Sequence, residues 1–310
     1  MSKYIILTGA TGFVGSHLLE KLLDIHKKVI VLKRSFSNTW RINDFFENEN
    51  LIMKDIDKEN LNDIFNQYDI EGILHLASIS QREIDSEIIS KMIESNIDFP
   101  TQLLEASVQN NVKYFINTGS VYEYQLNNPP ISENTKIKPF NLYASTKIAF
   151  EDILKFYSNE YSLNSSTLKL FTSYGPKDNE NKIIPYLIIN SLKKENIHIK
   201  SPTKTLDLVY VSDVVESYIA TMNNLPKFKE YETFNVGSGI GTSIKDVLKI
   251  IESNLGKNRN VSFGNLEDDK VCCLNNKIKE QINWNPKIKL NKGIKLTVNY
   301  YKRKLNNSNF

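Results

Sequence analysis

The sequence is poor in cysteine and histidine and has no long hydrophobic segment. Its two cysteines, Cys272 and Cys273, are adjacent, and neighbouring cysteines rarely form a disulfide with each other. Two cysteines and four histidines without metal-ligand spacing also argue against a zinc site. We therefore expect a reduced, cytoplasmic protein without a bound metal.

Other absences exclude further classes. No window approaches the roughly 20 apolar residues of a membrane-spanning helix, and the first apolar run is too short for a signal peptide. The 39 Lys and Arg residues nearly balance the 36 Asp and Glu residues. A net charge of +3 gives no reason to expect a nucleic acid or a membrane as partner.

The pattern that is present is one of short apolar segments alternating with amphipathic ones. It predicts strands at Tyr4–Leu7, Val29–Leu32, Leu51–Met53, Gly72–Leu76, Lys113–Asn117 and Ser166–Phe171. It predicts helices at Gly12–Ile25, Ile88–Gln109 and Phe140–Tyr157, and, in a less regular second half, at Ile183–Lys194, Ser212–Met222 and Ser243–Ser253. Continuous apolar strands alternating with helices favour an α/β fold with a doubly wound parallel sheet.

A glycine-rich turn follows the first strand and opens the first helix. Gly9, Gly12 and Gly15 allow the backbone to approach a pyrophosphate, and the helix N-terminus supplies free N–H groups. The same turn could be only a structural corner between strand and helix. In this context it predicts a Rossmann-type dinucleotide-binding domain over residues 1–165, with return segments near 205–236. Residues 166–310 would form a smaller mixed α/β lobe that binds substrate.

The residues after the second strand bear on the choice of dinucleotide. An acidic residue there would bind a ribose 2′-hydroxyl, but the chain has Lys33 and Arg34. Such a cation pair would attract a 2′-phosphate, which favours NADPH over NAD. The pair could also be a solvated surface feature. Asp55 follows the third strand, where it could reach the adenine amino group or cap the next helix.

A second motif carries the chemistry. Tyr143 and Lys147 are four residues apart on a predicted helix and therefore share one face. An ammonium beside a phenol favours the phenolate, so Tyr143 could exchange a proton near neutral pH. Taken alone, the two could equally be a core tyrosine and a surface lysine. With the glycine turn about 130 residues earlier, they predict a nicotinamide-dependent enzyme acting on a carbonyl or an alcohol.

These motifs resemble those of the extended short-chain dehydrogenases/reductases that modify nucleotide-linked sugars. The resemblance covers nearly the whole chain. It rests on Thr8–Gly15, His75–Ala77, Asn96, Asn117–Tyr122, Tyr143-x-x-x-Lys147, Tyr174–Pro176, Asp207–Val211 with Asp213, Phe234–Gly237 and Trp284-x-Pro286. Together the motifs are specific for the superfamily and weak for the substrate.

The resemblance implies a role for each matching position. Tyr143 would be the general acid/base, Lys147 would lower its pKa and hold the nicotinamide ribose, and Thr118 would hydrogen-bond the reacting oxygen. Ser120 competes with Thr118 if the register slips, and Asn96 could be a structural amide instead. The implied cofactor-binding residues are Gly9, Thr11, Gly12, Phe13, Val14, Lys33, Arg34, Asp55, Ile56, Leu76, Ala77, Ser78, Asn96, Tyr143, Lys147, Phe171 and Ser173. The implied substrate-side residues are Ser80, Thr118, Ser120, Tyr122 and Thr172. Asp207, Asp213, Asn235 and Trp284 would organise the second lobe.

Departures from the family pattern reduce the number of reactions that the chain could catalyse. The 4,6-dehydratases carry an Asp-Glu pair after the catalytic threonine, where this chain has Gly119 and Ser120. The 4-epimerases retain NAD and usually carry the acidic residue that Lys33 replaces. Several stretches look most like CDP-abequose and CDP-paratose synthases, which reduce a 4-ketone. Many relatives have an arginine where this chain has Leu206.

We therefore expect an NADPH-dependent C4-keto reductase of a nucleotide-linked 6-deoxy or 3,6-dideoxy sugar, serving surface polysaccharide synthesis. A CDP-linked substrate is favoured, and GDP- or dTDP-linked sugars remain open. An NAD-dependent 4-epimerase is the alternative, and a non-catalytic NADPH-binding regulatory protein is a remote one. The resemblance also implies a homodimer formed through the apolar faces of Ile88–Gln109 and Phe140–Tyr157.

Overall fold

A computed structural model describes residues 3–81, 85–126, 129–225, 228, 231–257, 260–266, 270–274 and 276–307. The strands are β1 (Tyr4–Thr8), β2 (Lys28–Lys33), β3 (Leu51–Asp55), β4 (Ile70–His75), β5 (Tyr114–Ser120), β6 (Asn164–Leu170), β7 (Thr172–Tyr174), β8 (Ile197–Ile199), β9 (Thr205–Tyr210), β10 (Glu232–Val236), β11 (Gly241–Ser243) and β12 (Val261–Phe263). The α-helices are α1 (Phe13–Asp24), α2 (Leu61–Gln67), α3 (Ser86–Ile93), α4 (Phe99–Gln109), α5 (Leu142–Tyr161), α6 (Ile183–Lys193), α7 (Val211–Asn224), α8 (Ile244–Leu255), α9 (Asn276–Ile282) and α10 (Leu290–Asn307).

The chain divides into two compact units. The first comprises residues 1–125, 136–170 and 215–234, and the second comprises 126–135, 171–214 and 235–310. The second unit thus takes in residues 126–135, a short excursion that no local pattern in the sequence marks. The domain boundary between residues 165 and 166 stays a prediction.

The first unit is built on a seven-stranded sheet in the order β10-β6-β5-β4-β1-β2-β3. The strands from β1 to β6 pair in parallel. Their apolar residues are buried because helices cover the sheet, with Ile6, Ile73 and Phe115 fully buried in its core. The predicted Rossmann-type α/β fold is confirmed. The strand order reverses between β1 and β4, where such sheets open a crevice for a ligand at their carboxyl ends.

The six predicted strands are all present, with ends that differ by a few residues. The predicted helix over Ile88–Gln109 is wrong as a single helix. A π-helical segment, Glu94–Asp98, separates α3 from α4. This wider turn buries Ser95 and Asn96, as π-helical turns often do near functional sites. The helix expected after the third strand is α2, but its first turn is capped by the side chain of Asn60 and not by Asp55, which ends β3.

The second unit contains smaller sheets and several helices. Strand β9 lies between β7, which is parallel to it, and β11, which is antiparallel. Asp207 on β9 accepts hydrogen bonds from the backbone N–H groups of Ser238, Gly239 and Cys273 at 2.6, 3.0 and 2.8 Å. Within the described residues, no helix combines the length and apolar composition needed to cross a membrane.

Candidate active site

The glycine turn between β1 and α1 forms a cradle that no side chain fills. Gly9 has φ of +72°, and a Cβ there would lie 2.6 Å from the backbone nitrogen of Ala77. A Cβ on Gly15 would lie 2.1 Å from the carbonyl oxygen of Gly9. Gly12 is the N-cap of α1 and has no side chain that could accept from the first turn. The turn, which includes Thr11, Phe13 and Val14, therefore fits a pyrophosphate on the helix N-terminus.

A buried side-chain contact joins this turn to the end of β4. The Thr8 hydroxyl accepts hydrogen bonds from the backbone N–H groups of Leu76 and Ala77, both at 3.1 Å. Its own proton is directed at Nδ1 of His75, 2.8 Å away. Burial and the charge of Lys147 hold the pKa of His75 well below its usual value. His75 is therefore a neutral residue that fixes the backbone of Leu76 and Ala77.

The two cations after β2 already have carboxylate partners. Lys33 Nζ lies 3.4 Å from Asp55 Oδ2, and the register of β2 with β3 places these two residues opposite each other. Arg34 lies 3.0 Å from Glu94. Desolvation acts to raise the pKa of Asp55, but hydrogen bonds from Ser35 and Asp57 and the charge of Lys33 outweigh it and lower the pKa. The backbone N–H of Ile56 donates to the carbonyl of Lys33 at 3.0 Å, so these residues form one connected edge.

Helix α5 presents the Tyr-Lys pair. Its N-terminus is fixed by Asn141, whose side chain accepts from the backbone N–H of Ala144 at 2.9 Å. Tyr143 is partly exposed, whereas Lys147 is buried. Burial is the main cause that raises the pKa of Tyr143 to about 12, and a hydrogen bond with Ser78 opposes it. Burial also lowers the pKa of Lys147 to about 8.

This outcome corrects one expectation from the sequence. In the chain by itself the pKa of the Tyr143 phenol is raised, not lowered. Desolvation of the phenol is the largest cause of this rise, and the charge of Glu123 adds to it, so the spacing to Lys147 alone does not set the pKa. At neutral pH Tyr143 is therefore protonated and ready to act as an acid.

Thr118 occupies the third position near the end of β5. Its hydroxyl donates to the carbonyl of His75 at 2.8 Å and lies 2.6 Å from the hydroxyl of Tyr218. Tyr218, on α7, also interacts electrostatically with Tyr143. Tyr143 thus lies close enough to interact with this hydrogen-bonded pair. Because the Thr118 proton is directed at His75, Tyr218 is the donor to Thr118.

Ser120, the competing candidate, has another role. It caps the short 3₁₀ turn Val121–Glu123, with its hydroxyl accepting from the backbone N–H of Tyr122 at 3.3 Å. The Tyr122 side chain is 38% exposed and packs near the ring of Phe140. The assignment of Thr118, rather than Ser120, to the third catalytic position stays a prediction.

Asn96 braces the loop after β4 against α5. Its amide oxygen accepts from the backbone N–H of Ile79 at 2.8 Å, and its amide nitrogen donates to the Ile79 carbonyl at 3.0 Å. The same nitrogen donates to the hydroxyl of Thr146 at 2.9 Å. Asn96 thus fixes the loop that carries Ser78 and Ser80, next to Lys147. These contacts show Asn96 as a structural amide. Its part in cofactor binding stays a prediction.

The remaining predicted residues lie in the second unit. Phe171 follows β6, and its backbone N–H donates to the carbonyl of Val236 at 3.0 Å. Thr172 and Ser173 lie on β7 and pair with Leu208 and Val209 of β9. Their assignment to the cofactor and the substrate stays a prediction.

The sequence alone missed several residues of this region. Tyr218 was not a candidate, although it belongs to the predicted helix Ser212–Met222. Arg41 was also missed: its guanidinium donates to the carbonyl of Thr11 at 3.2 Å and stacks on Trp40 at 4.5 Å. Arg41 is 30 positions from Thr11 in the sequence, so no local pattern connects it to the glycine turn. No motif marked Glu123 or Lys169, which form a buried ion pair described below.

Comparison with known proteins identifies the family. A model of the NAD dependent epimerase/dehydratase family matches residues 5–237. The chain belongs to this family. The predicted resemblance to the extended short-chain dehydrogenases/reductases is therefore confirmed, and with it the expectation of an oxidoreductase that uses a nicotinamide dinucleotide.

Two similar curated relatives match nearly the full length of the chain. CDP-abequose synthase from Salmonella typhimurium is 28% identical over 95% of this chain and 97% of its own. UDP-glucuronate 4-epimerase from Thermodesulfobacterium geofontis is 31% identical over 97% of each. One relative is named as a synthase and the other as an epimerase, so this member of the epimerase/dehydratase family is similar to enzymes of two reactions.

The two similar solved structures compared with this chain are both 4-epimerases. UDP-glucose 4-epimerase from Thermotoga maritima, solved with UDP-glucose, has a TM-score of 0.85 and 28% identity over 97% of this chain and 99% of its own. UDP-glucuronic acid 4-epimerase from Bacillus cereus, solved with NAD, has a TM-score of 0.87 and 25% identity with the same coverage. This family member therefore has the fold of enzymes that bind a nicotinamide dinucleotide and a nucleotide sugar.

Proposed function

We propose that this chain is an NADPH-dependent reductase of the C4 ketone of a nucleotide-linked 6-deoxy or 3,6-dideoxy sugar. The observation that carries the proposal is the position of Tyr143, one helical turn from the buried Lys147 and within electrostatic reach of the hydrogen-bonded pair Thr118 and Tyr218. With its pKa raised by burial, Tyr143 is protonated at neutral pH and is set to donate its proton to an alkoxide. Such a site favours net reduction of a ketone.

Each side chain has a defined part in this reaction. The bound nicotinamide supplies the hydride. Tyr143 donates its proton to the sugar oxygen that becomes an alkoxide. Thr118 stabilises the charge that develops on that oxygen once its hydroxyl proton turns from the His75 carbonyl to the substrate. Thr118 is oriented by the His75 carbonyl and by Tyr218. The buried ammonium of Lys147 lies one helical turn from Tyr143 and stabilises the phenolate once the proton has left.

The residues after Thr118 argue against dehydration. Gly119 stands where the family's 4,6-dehydratases carry an acid, and a Cβ there would lie 2.8 Å from Thr167 and 2.9 Å from Glu123. No larger side chain fits without a shift of its neighbours. Ser120 is engaged as the cap of the next turn. This end of β5 therefore has neither group needed to remove water across two carbons.

Lys33 and Arg34 support NADPH as the cofactor. The sequence has Lys33 and Arg34, and no acidic residue, at the end of β2 itself, where a carboxylate would repel a 2′-phosphate. The side chains of Lys33 and Arg34 are 21% and 18% exposed. A phosphate could therefore compete with Asp55 and Glu94 for them, since charge-assisted hydrogen bonds to phosphate are strong.

A CDP-linked sugar is the favoured substrate, since the CDP-abequose synthases are similar over nearly the full chain. GDP- and dTDP-linked sugars remain open. Leu206, at the position of the usual arginine, is buried, so a diphosphate contact must come from another residue. A homodimer, a cytoplasmic location and a role in polysaccharide synthesis stay predictions.

One observation favours the alternative, an NAD-dependent 4-epimerase. Asp55 and Glu94 already neutralise Lys33 and Arg34, which weakens the attraction for a 2′-phosphate. The similar UDP-glucuronic acid 4-epimerase was solved with NAD. In that reaction Tyr143 would have to accept a proton as well as donate one, and its raised pKa opposes the first of these steps.

The experiment that decides is cofactor oxidation, followed by absorbance. NADPH and NADH are offered with CDP-, GDP-, dTDP- and UDP-linked 4-keto-6-deoxy and 3,6-dideoxy sugars, with Tyr143→Phe as the inactive control. Consumption of NADPH with one sugar, abolished by Tyr143→Phe, supports the reductase. Interconversion of 4-hydroxy sugars without consumption of cofactor establishes the epimerase.

A further inference from the structure

Lys169, Glu123 and Glu151 form a buried cluster of charges that the mechanism above does not use. The ammonium of Lys169 on β6 lies 2.8 Å from a carboxylate oxygen of Glu123 and 2.9 Å from one of Glu151. The three side chains are 2%, 0% and 5% exposed. Buried charges are costly to desolvate unless they are paired, so a second carboxylate on an already paired lysine calls for an explanation.

The position of Glu123 provides one. It ends the short turn that directly follows β5, and its carboxylate accepts from the backbone N–H of Ser120 at 2.6 Å. A Cβ on Gly119, the residue after Thr118, would lie 2.9 Å from this carboxylate. Glu123 therefore lies directly beneath the strand end that carries Thr118.

The second carboxylate, Glu151, is placed differently. It lies on α5 one turn beyond Lys147 and receives hydrogen bonds from Tyr231 and Thr233 at 2.9 and 3.1 Å. Lys155 lies 3.2 Å from the same oxygen. Glu151 thus has enough cationic and hydrogen-bonding partners without Lys147. Glu123, by contrast, interacts electrostatically with both Tyr143 and Lys147.

Counting charges explains why two carboxylates are present. Lys169 and Glu151 neutralise each other, which leaves the buried ammonium of Lys147 without a buried countercharge of its own. The structure assigns this role to Glu123. We propose that Glu123 is a positioning residue that sets the proton affinity of the Tyr143–Lys147 pair, an inference that rests on the proposed role of this pair.

The groups that face Glu123 fix the direction of the effect. They are Lys169 from β6, Tyr143, Lys147 and Glu151 from α5, and the ring of Tyr124, over which Lys169 lies at 4.7 Å. Burial raises the pKa of Glu123 to about 7, so its carboxylate is charged in the alkaline range where the pair loses protons. A nearby negative charge holds protons on both the phenol and the ammonium. Its removal makes the first proton leave the pair at lower pH, whichever group releases it.

The test compares Glu123→Gln with Glu151→Gln. Both variants keep the side-chain shape and remove one carboxylate from Lys169, so a merely structural role affects both alike. In Glu123→Gln we expect the alkaline limb of the kcat profile to move down by about one pH unit. In Glu151→Gln the limb should move less, because the charge of Glu123, and not that of Glu151, acts directly on Tyr143 and Lys147. An unmoved limb in Glu123→Gln, or equal shifts in both variants, would overturn the proposal.

A second measurement does not depend on any substrate. The phenolate absorbance of the protein is titrated with pH, and the same titration of Tyr143→Phe is subtracted to isolate Tyr143. Glu123→Gln should lower this midpoint, whereas Lys169→Gln, which leaves Glu123 charged, should raise it. The titration keeps its meaning even if no nucleotide sugar is reduced, so failure of the proposed function and failure of this inference are distinguishable. If the pH midpoint of Tyr143 is the same in both variants as in the parent chain, the inference is wrong.

Discussion

The hydroxyl of Tyr218 lies 2.6 Å from the hydroxyl of Thr118 and is the donor in that hydrogen bond. Tyr218 is fully buried on α7, and Thr118 donates in turn to the carbonyl of His75. The resulting chain of hydrogen bonds fixes Thr118 before any substrate arrives. Because Tyr218 donates to Thr118, the hydroxyl of Thr118 keeps its place when its own proton turns from the His75 carbonyl to a charged substrate oxygen.

Tyr218→Phe should therefore lower kcat while leaving the binding of the dinucleotide unchanged. A neutral hydrogen bond contributes about 1 kcal/mol, so we expect a loss of about five- to tenfold in kcat, measured with the sugar identified by the cofactor assay. Thr118→Val, which removes the donor itself, should lose about a hundredfold. Thr118→Ser, which keeps the hydroxyl, should retain most of the activity. Equal kcat in Tyr218→Phe and the parent chain would mean that Tyr218 does not orient Thr118.

The glycine turn makes a steric prediction. In Gly9→Ala the new Cβ would lie 2.6 Å from the backbone of Leu76 and Ala77, at a φ of +72°. Because those residues line the predicted dinucleotide site, we expect affinity for the dinucleotide to fall by at least tenfold, as measured by calorimetry.

Gly256→Ala is the matched control for this change. Gly256 has a similarly left-handed φ of +85°, but nothing lies within 4 Å of its Cβ position. The alanine should cost only the backbone strain, about 1–3 kcal/mol of unfolding free energy, and leave dinucleotide affinity intact. A comparable loss of affinity in both variants would show that strain, not the clash beside Ala77, is responsible.

Arg34 and Glu94 offer a test of cofactor choice. If Arg34 binds the 2′-phosphate, Arg34→Gln should weaken NADPH binding by about 10- to 100-fold, the range for charge-assisted hydrogen bonds. Glu94→Gln releases the arginine from its partner and should strengthen NADPH binding by up to about fivefold, since exposed ion pairs contribute little. NADH binding should not change in either variant. If both variants bind NADPH and NADH as the parent chain does, Arg34 does not bind the 2′-phosphate and only forms its ion pair with Glu94.

Local patterns predicted what depends on local structure. The alternation of apolar strands with helices specified the parallel sheet, and the glycines specified the turn at the end of β1. The Tyr143-x-x-x-Lys147 spacing placed both side chains on one face of α5. Each of these features follows from the residues within one or two turns of the chain.

The rest depends on contacts between distant residues. Thr118 and Tyr218 are 100 positions apart, and no periodicity links them. Lys33 looked like a free cation because its partner becomes visible only in the register of β2 with β3, which sets it opposite Asp55. The raised pKa of Tyr143 likewise follows from burial, a quantity that the spacing of two side chains does not contain.

The neutral, buried His75 makes a prediction about acid stability. Because burial and Lys147 hold its pKa well below 6.5 in the folded chain, only the unfolded chain takes up a proton on this residue as the pH falls through about 6.5. His75 therefore contributes stability above that pH, and the contribution is lost below it. Between pH 7 and pH 5.5 the loss from one such group is about 1 kcal/mol of unfolding free energy.

The measurement is chemical unfolding at both pH values for the parent chain and for His75→Gln. The glutamine oxygen can still accept from Thr8, but the residue does not titrate. We expect His75→Gln to be less stable at pH 7, because the ring no longer packs against Phe115 and Phe150, whose centroids lie 6.0 and 5.6 Å away. Its loss of stability on acidification should be about 1 kcal/mol smaller than that of the parent chain. Equal losses in the two proteins would mean that the folded chain protonates His75, and the bond between Thr8 and Nδ1 would then have to be broken in acid.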